Sequence, residues 1–324
     1  MSQSQPTGQP QSEGSVLQSI EQKLKFGSAI VSGVVSDFLT GAAHRLGFPC
    51  RTSGHRFQRL APDDSAQYIL NCWEWAKGYC PSELNGHICE IGPGNSRAAA
   101  LMFRHEGFEK VTLIDRYPID SAPGDPAIIK ELSQKLSVDS NYVSGSLDDS
   151  FLSVINNQMA EEFFAQKHEC FDVIYSNAVL EHLDAPIQSL DDMYTALRPG
   201  GKLLHVIDLR NHGLLQNLGE LKWLEISDSF FHRMRRNTAR PNRVLYHEYA
   251  DWAQRTPGAQ IYVQRILGSD HNWVGKTLAE IDASDRQRSS EIVRNQRSNL
   301  NEQFSQVSDE NLGVAVIVLM VEKP

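Results

Sequence analysis

Cysteine is scarce in this chain of 324 residues. The five present (Cys50, Cys72, Cys80, Cys89, Cys170) are odd in number, far apart and include no C-x-x-C pair, which suits neither a disulfide framework nor a cysteine zinc site. They read as thiols without a redox role, mostly buried. Basic charge is in deficit: 31 Lys and Arg face 40 Asp and Glu, for a formal net charge of -9. The chain therefore has no overall electrostatic footprint for DNA or RNA, and no nucleic-acid partner is expected. No uninterrupted apolar run approaches the roughly 18 residues of a membrane span, and the first residues lack the basic start and apolar run of a secretory signal. A cytoplasmic protein with no membrane partner is the expectation. No cluster of His, Asp and Glu appears at metal-ligand spacing, so no metal is expected. What is present is ordinary globular composition, 40% hydrophobic and 22% charged, in a chain long enough for one large α/β domain with appended segments.

The first 14 residues, MSQSQPTGQPQSEG, carry too little apolar surface to offset the entropy of ordering and read as a disordered tail. Residues 15–64 form a separate N-terminal segment. Val16, Leu17, Ile20 and Leu24, then Ile30, Val31, Val34, Val35, Phe38 and Leu39, recur at helical spacing. They predict two helices broken near Gly27, serving as a cap over a ligand or as a homodimer interface; the residues leave both open. After a loop over 48–63, Asp64 and Ser65 are placed to cap a helix through Trp73 and Ala76.

From Gly86 onward short apolar runs alternate with helical stretches, the pattern of βαβ units and a parallel sheet. Strands are predicted at His87–Ile91, Val111–Asp115, Tyr142–Ser144, Phe171–Ser176 and Lys202–Leu209. Helices are predicted at Ser96–His105, Ala127–Leu136, Leu152–Gln166 and Ile187–Leu197. Beyond these lie a helix at His247–Arg255 and strands at Ile261–Leu267 and Val314–Val321, with a polar helical insertion over about 269–311.

The strongest local signal is HICEIGPGNSRAA, residues 87–99: a strand, an acid, a Gly-x-Gly turn and a helix. Gly92 and Gly94 allow a tight reversal and close approach of a ligand to bare backbone. A dinucleotide fingerprint needs a third small residue where Arg97 stands. Glu90 would repel a pyrophosphate, whereas it suits a ligand carrying an amino group or a sulfonium. A nicotinamide oxidoreductase is thus disfavoured.

These residues resemble the first motif of the class I S-adenosylmethionine-dependent methyltransferases, and the likeness continues in order through LIDRYP (113–118), GSLDD (145–149), FDVIYSNAVLEHL (171–183) and LRPGGKLLHVID (197–208). The resemblance implies a doubly wound seven-stranded α/β sheet of order 3-2-1-4-5-7-6 over about residues 65–324, with S-adenosylmethionine as cofactor. It implies that Glu90, Gly92 and Gly94 form the donor loop. Asp115 would hold the ribose hydroxyls, Ser146 and Leu147 would contact the adenine, and Asn177 would close the donor site at the fourth strand. The SNAVLEHL form resembles the branch that methylates small molecules and lacks the Asn/Asp-Pro-Pro-Tyr segment of enzymes that grip an sp2 amine.

The acceptor pocket is expected in an insertion over about 211–245. Five arginines (Arg233, Arg235, Arg236, Arg240, Arg243) fall within eleven residues there. They could clamp a phosphate or carboxylate, or form a solvated or dimer-facing helix. Arg233, Arg236 and Tyr246 are the candidate substrate-binding residues and His182 the candidate catalytic base. His205, inside an apolar strand, reads as structural. The expectation is methyl transfer to a small anionic metabolite or sugar, most simply at oxygen. Transfer to nitrogen or sulfur, and a catalytically silent cofactor-binding subunit, are the rival readings.

Overall fold

A computed structural model describes residues 13–45, 60–94, 96–119, 124–143, 150–212, 215, 218–238 and 240–324. The described residues form one sheet of seven strands: β1 (His87–Ile91), β2 (Lys110–Ile114), β3 (Leu152–Ile155), β4 (Phe171–Asn177), β5 (Leu197–Asp208), β6 (Ala259–Ile266) and β7 (Val314–Glu322). Their order is β3-β2-β1-β4-β5-β7-β6, as the resemblance implied. β1 to β5 pair in parallel, and β7 runs antiparallel between β5 and β6. A strand covered by helices on both faces needs apolar side chains on both, whichever way it runs. β7, VAVIVLMVE, meets that requirement with every residue but its last buried.

Helices cover both faces. On one lie α2 (Pro62–Lys77), α3 (Ala99–His105) and α4 (Asp125–Leu136). Trp73 of α2 anchors this side, edge-on to Phe103 at 5.1 Å and to Tyr175 at 5.2 Å, geometries that aromatic quadrupoles favour. The other face carries α5 (Ala160–Phe164), α6 (Pro186–Ala196) and α8 (Tyr246–Arg255), with Tyr249 and Trp252 fully buried. A third, smaller core gathers Trp223, Met234, Val293 and Phe304 from the segment holding α7 (Asp228–Arg235), α9 (Ala283–Gln296) and α10 (Asp309–Leu312).

Several elements depart from the sequence reading. Tyr142, where the third strand was expected to begin, closes a 3-10 turn, Ser140–Tyr142, capped by the Asp139 carboxylate accepting from the Asn141 amide at 2.9 Å, and Ser144 lies outside the described residues. The third strand is instead LSVI at 152–155, where a helix was expected. Asn157, with φ 57°, breaks the chain after it, and the helix shrinks to Ala160–Phe164. The helix expected at Asp64–Ser65 starts at Pro62, a residue suited to the first helical turn, with Ala61 at the N-cap.

The N-terminal segment is one helix, α1 (Glu13–Arg45), with no break at Gly27 and with its first two residues inside the stretch read as a tail. Residues 1–12 and 46–59 lie outside the described residues. Packing sustains α1 through its glycines. A methyl group on Gly33 would sit 2.5 Å from Met234 Cε, and one on Gly41 2.6 Å from Asn237 Cγ. Between them Asp37, 2% exposed, accepts from the Asn237 amide at 2.7 Å, Asn237 Nδ2 at 2.8 Å and Thr238 Oγ1 at 3.1 Å. Hydrogen bonds to a charged acceptor are worth about 1.5–3 kcal/mol. Asp37→Ala is therefore expected to lower the melting temperature by several degrees in a thermal scan; an unchanged midpoint would show that α1 is not docked through this carboxylate.

The opposite face of α1 exposes Leu24, Val31, Val35, Phe38 and Leu39. Within α1, Glu21–Ala43 is long and apolar enough to cross a membrane by length and composition, with mean hydropathy 1.3. This differs from the expectation because glycines and serines interrupt the apolar run without lowering its average enough.

Candidate cofactor and acceptor site

β1, β2 and β4 are neighbours in register, with Ile91 opposite Ile114 and Ser176, so their carboxyl ends open side by side at the point where strand order reverses, the ligand site of doubly wound sheets. At the end of β1, Gly92 (φ 68°) and Gly94 (φ 78°) take left-handed backbone conformations. The Gly92 N–H donates to the Ile114 carbonyl at 2.8 Å, tying the loop to β2. A Cβ on Gly92 would lie 2.6 Å from Val179 Cγ2. The loop thus touches the chain leaving β4 and tolerates no side chain there.

Two carboxyls converge behind this loop. Glu90 is buried, and its Oε2 has no hydrogen-bond partner among the described residues. Burial, then the neighbouring Asp115, push its pKa up to about 8. Asp115 follows β2 and accepts from the Tyr117 amide at 2.8 Å. Burial raises it to about 6, although backbone N–H groups of Tyr117 and Gly94 oppose the shift. An unpartnered buried acid beside a second acid and a bare backbone turn fits a cationic, hydroxyl-bearing ligand.

The sign of the pH dependence follows. The ligand-free fold holds protons on both carboxyls above the pH at which the unfolded chain has lost them, so its stability falls as pH rises from about 4 towards 8. A cationic ligand prefers the ionised pair. Affinity for S-adenosylmethionine is expected to climb between pH 6 and 8 more steeply than for S-adenosylhomocysteine, which lacks the sulfonium charge. Calorimetry at the two pH values checks this, and parallel profiles for the two ligands would overturn it.

The cleft in front of the carboxyls is lined by Gly92, Gly94, Asp115, Val179, His182 and Leu183, among others. His182 sits in a 3-10 turn, Leu180–His182. Burial, then His212, bring its pKa down to about 4, so the ring is neutral at neutral pH. Asn177 is not among the lining residues: its Nδ2 donates to Tyr68 Oη at 3.2 Å and Cys72 Sγ at 3.3 Å on α2. The chain enters the cleft one residue later, at Ala178 with φ 56°. Ser146 and Leu147 lie outside the described residues.

The arginine run is dispersed. Arg233 and Arg236 are exposed on and beyond α7 and do not line the cleft. Arg243 lies 3.7 Å over the Phe231 ring and pairs with Asp228 at 3.3 Å, which is packing. Tyr246 opens α8, half-buried among core residues, its phenol pKa raised by burial. Arg235 does not line the cleft either, but it is held against it: its Nη2 donates to the carbonyl of the lining residue Leu183 at 3.1 Å and pairs with Asp184 at 3.0 Å. His205 is fully buried in β5 with its Nδ1 2.8 Å from Ser176 Oγ.

A cluster absent from the linear sequence appears in space. Glu181, His182 and His212 bring one ligand-type atom each within 4.8 Å of one another. Glu181 is 1% exposed, and burial, then Asp208, hold its carboxyl well above the usual range. Burial opposes ionisation of Asp208 as well, yet hydrogen bonds from Arg210 (2.8 and 2.6 Å) and His212 keep it well below that range. Asn177 pairs with Val206 where β4 and β5 run in parallel, and this places residues 30 positions apart at one sheet edge. The available signal was that both segments follow adjacent parallel strands.

No curated protein matches the chain. Among solved structures, Haemonchus contortus phosphoethanolamine N-methyltransferase 2, in complex with phosphomonomethylethanolamine and S-adenosylhomocysteine, is 15% identical with TM-score 0.42, covering 81% of this chain and 57% of its own. This chain therefore spans little more than half that protein's length. The plantazolicin methyltransferase BamL, in complex with a triazolic desmethylPZN analogue and S-adenosylhomocysteine, is 13% identical with TM-score 0.43 over 92% of this chain and 99% of its own. CrArsM, an arsenic(III) S-adenosylmethionine methyltransferase from Chlamydomonas reinhardtii, is 13% identical with TM-score 0.39 over 82% and 74%. The family model of a methyltransferase domain matches residues 55–266, more than half of the chain and all of the cleft just described. With that match, the strand order and the acid-and-glycine loop in place, this chain belongs to the class I methyltransferase domain family, with S-adenosylmethionine as its cofactor.

Proposed function

We propose that this chain transfers a methyl group from S-adenosylmethionine to an oxygen of a small acceptor that carries an anionic group. The observation that carries the reading is one cleft lined both by the donor-loop residues Gly92, Gly94 and Asp115 and by Val179, His182 and Leu183 of the chain leaving β4. The chemistry supplied by the bound donor is an activated methyl group on sulfur, so the protein's task is alignment. Gly92 and Gly94 offer bare backbone, and Glu90 and Asp115 offer negative charge.

On the acceptor side His182 is uncharged at neutral pH and does not repel a sulfonium. A ring titrating near 4 is too weak a base for an ordinary alcohol, which assigns His182 to positioning. Arg235, held behind the cleft residue Leu183 and paired with Asp184, is the positive charge assigned to the acceptor's anion, which would compete with Asp184 for it. The net charge of -9 supports a small acceptor over a nucleic acid.

The test is calorimetric titration with S-adenosylmethionine, S-adenosylhomocysteine and, as control, NADH. Mass analysis of reactions with hydroxylated, amino and thiol acceptors bearing phosphate or carboxylate follows. Binding of both adenosyl ligands, no binding of NADH, and a hydroxy acid or phosphate ester gaining one methyl group is the expected result. Methylated amines or thiols would move the acceptor atom, and binding without product across the panel would favour a silent subunit.

A further inference from the structure

We propose that Glu181, His182 and His212 form a binding site for one divalent first-row transition-metal ion at the acceptor side of the cleft, with Asp208 holding His212 in place. The three side chains already present ligand-type atoms within 4.8 Å of one another. One carboxylate oxygen and two imidazole nitrogens is a donor set that suits such ions better than magnesium or calcium, which prefer oxygen alone.

Independent observations point to a ligand here. Glu181 is 1% exposed, and neither carboxyl oxygen makes a well-formed hydrogen bond among the described residues; the amides of Glu181 and Asp208 lie nearby without reaching bonding geometry. His182 Nδ1 is likewise buried and without a partner among the described residues. Buried polar atoms are normally satisfied, and here atoms from two side chains of one cluster are left open together. Arg210 does not meet the need of Glu181, since its two hydrogen bonds go to Asp208.

The surroundings are those of a built site. His212 Nε2 lies 3.1 Å from Asp208 Oδ2, the carboxylate–histidine contact that fixes ring orientation behind many metals, and ligation is accordingly assigned to Nδ1. The turn bearing Glu181 and His182 is clamped by buried Asn242, whose Nδ2 donates to the carbonyls of Leu180 at 2.9 Å and Leu183 at 3.0 Å and whose backbone amide donates to the Glu181 carbonyl. Three protein ligands leave at least one position open, and because His182 also lines the cleft we assign that position to the cleft side. An oxygen of the acceptor is its natural occupant. The metal site stands apart from the methyl-transfer reading; only the role of the open position rests on it.

The experiment uses full-length, tag-free protein stripped with a chelator and titrated with Co(II), reading visible absorption, with Zn(II) competition and calorimetric stoichiometry. S-adenosylmethionine binding and circular dichroism are measured separately on the same samples, so that a failed donor reading and a failed metal reading are distinguishable. One ion per chain with a ligand-field band is expected. Asp208→Asn should weaken uptake about 10–100-fold. His212→Ala, at a side chain 31% exposed and so compatible with folding, should weaken it further. Folded wild-type protein that takes up no ion saturably, or a His212→Ala variant with unchanged affinity, overturns the proposal.

Discussion

Asp115→Ala is expected to raise the dissociation constant for S-adenosylmethionine more than a hundredfold while leaving the fold intact. The carboxylate sits at the carboxyl end of β2, is mostly buried and, among the described residues, accepts from the backbone amides of Tyr117 and Gly94. Its loss removes no core contact. The resemblance assigns this acid to the ribose hydroxyls of the donor, and the prediction rests on that assignment. Two hydrogen bonds to a charged acceptor, at about 1.5–3 kcal/mol each, amount to roughly 3 kcal/mol or more, and every 1.4 kcal/mol is about a factor of ten. Asp115→Asn keeps the shape and one acceptor oxygen and should fall between. Calorimetry decides: a dissociation constant within threefold of wild type for the alanine variant would remove Asp115 from the donor site.

Gly92→Ala should be nearly as damaging, and for a reason that can be divided. A left-handed φ of 68° costs an alanine about 1–2 kcal/mol, and the new Cβ would stand 2.6 Å from Val179 Cγ2, too close for either atom to remain in place. Val179 belongs to the turn that carries His182, so the clash displaces the acceptor wall as well as the donor loop. We expect a fall of several degrees in melting temperature together with a ten- to hundredfold loss of donor affinity. Val179→Ala in the same chain should recover the steric part and leave the conformational part. A favourable coupling of about 1 kcal/mol between the two substitutions in a double-mutant cycle is the outcome that supports the contact, and strict additivity refutes it.

Six of the seven strands read from sequence, the interior strands β1, β2, β4, β5 and β7 and the eight-residue edge strand β6. β1, β4, β5 and β7 are interior strands with near-continuous apolar runs, and the expected positions agree with the observed ones to within a few residues, except that β5 begins five residues early, at Leu197. β3 did not read, because it is an edge strand of four half-buried residues paired only with β2; LSVI carries neither the length nor the alternation that separates a strand from the start of a helix. The donor loop was legible because positive φ at Gly92 and Gly94 is a local demand with a local signature. The acceptor side was not. Arg233, Arg235, Arg236, Arg240 and Arg243 look alike in sequence, and only tertiary packing sends Arg243 onto Phe231 and Arg235 onto the Leu183 carbonyl and Asp184. His212 gained its meaning from the parallel pairing of β4 with β5, a relation that spacing along the chain does not display.

The paired acids Glu90 and Asp115 have a thermodynamic consequence for any ligand that binds against them. Because the empty cleft keeps part of their protons at neutral pH, a cation entering it expels hydrogen ions into the buffer. The heat observed on mixing then includes the protonation enthalpy of whichever buffer receives them. Titrations in phosphate and in Tris should give the same affinity and different apparent enthalpies, and the slope of that difference counts the protons released per donor bound.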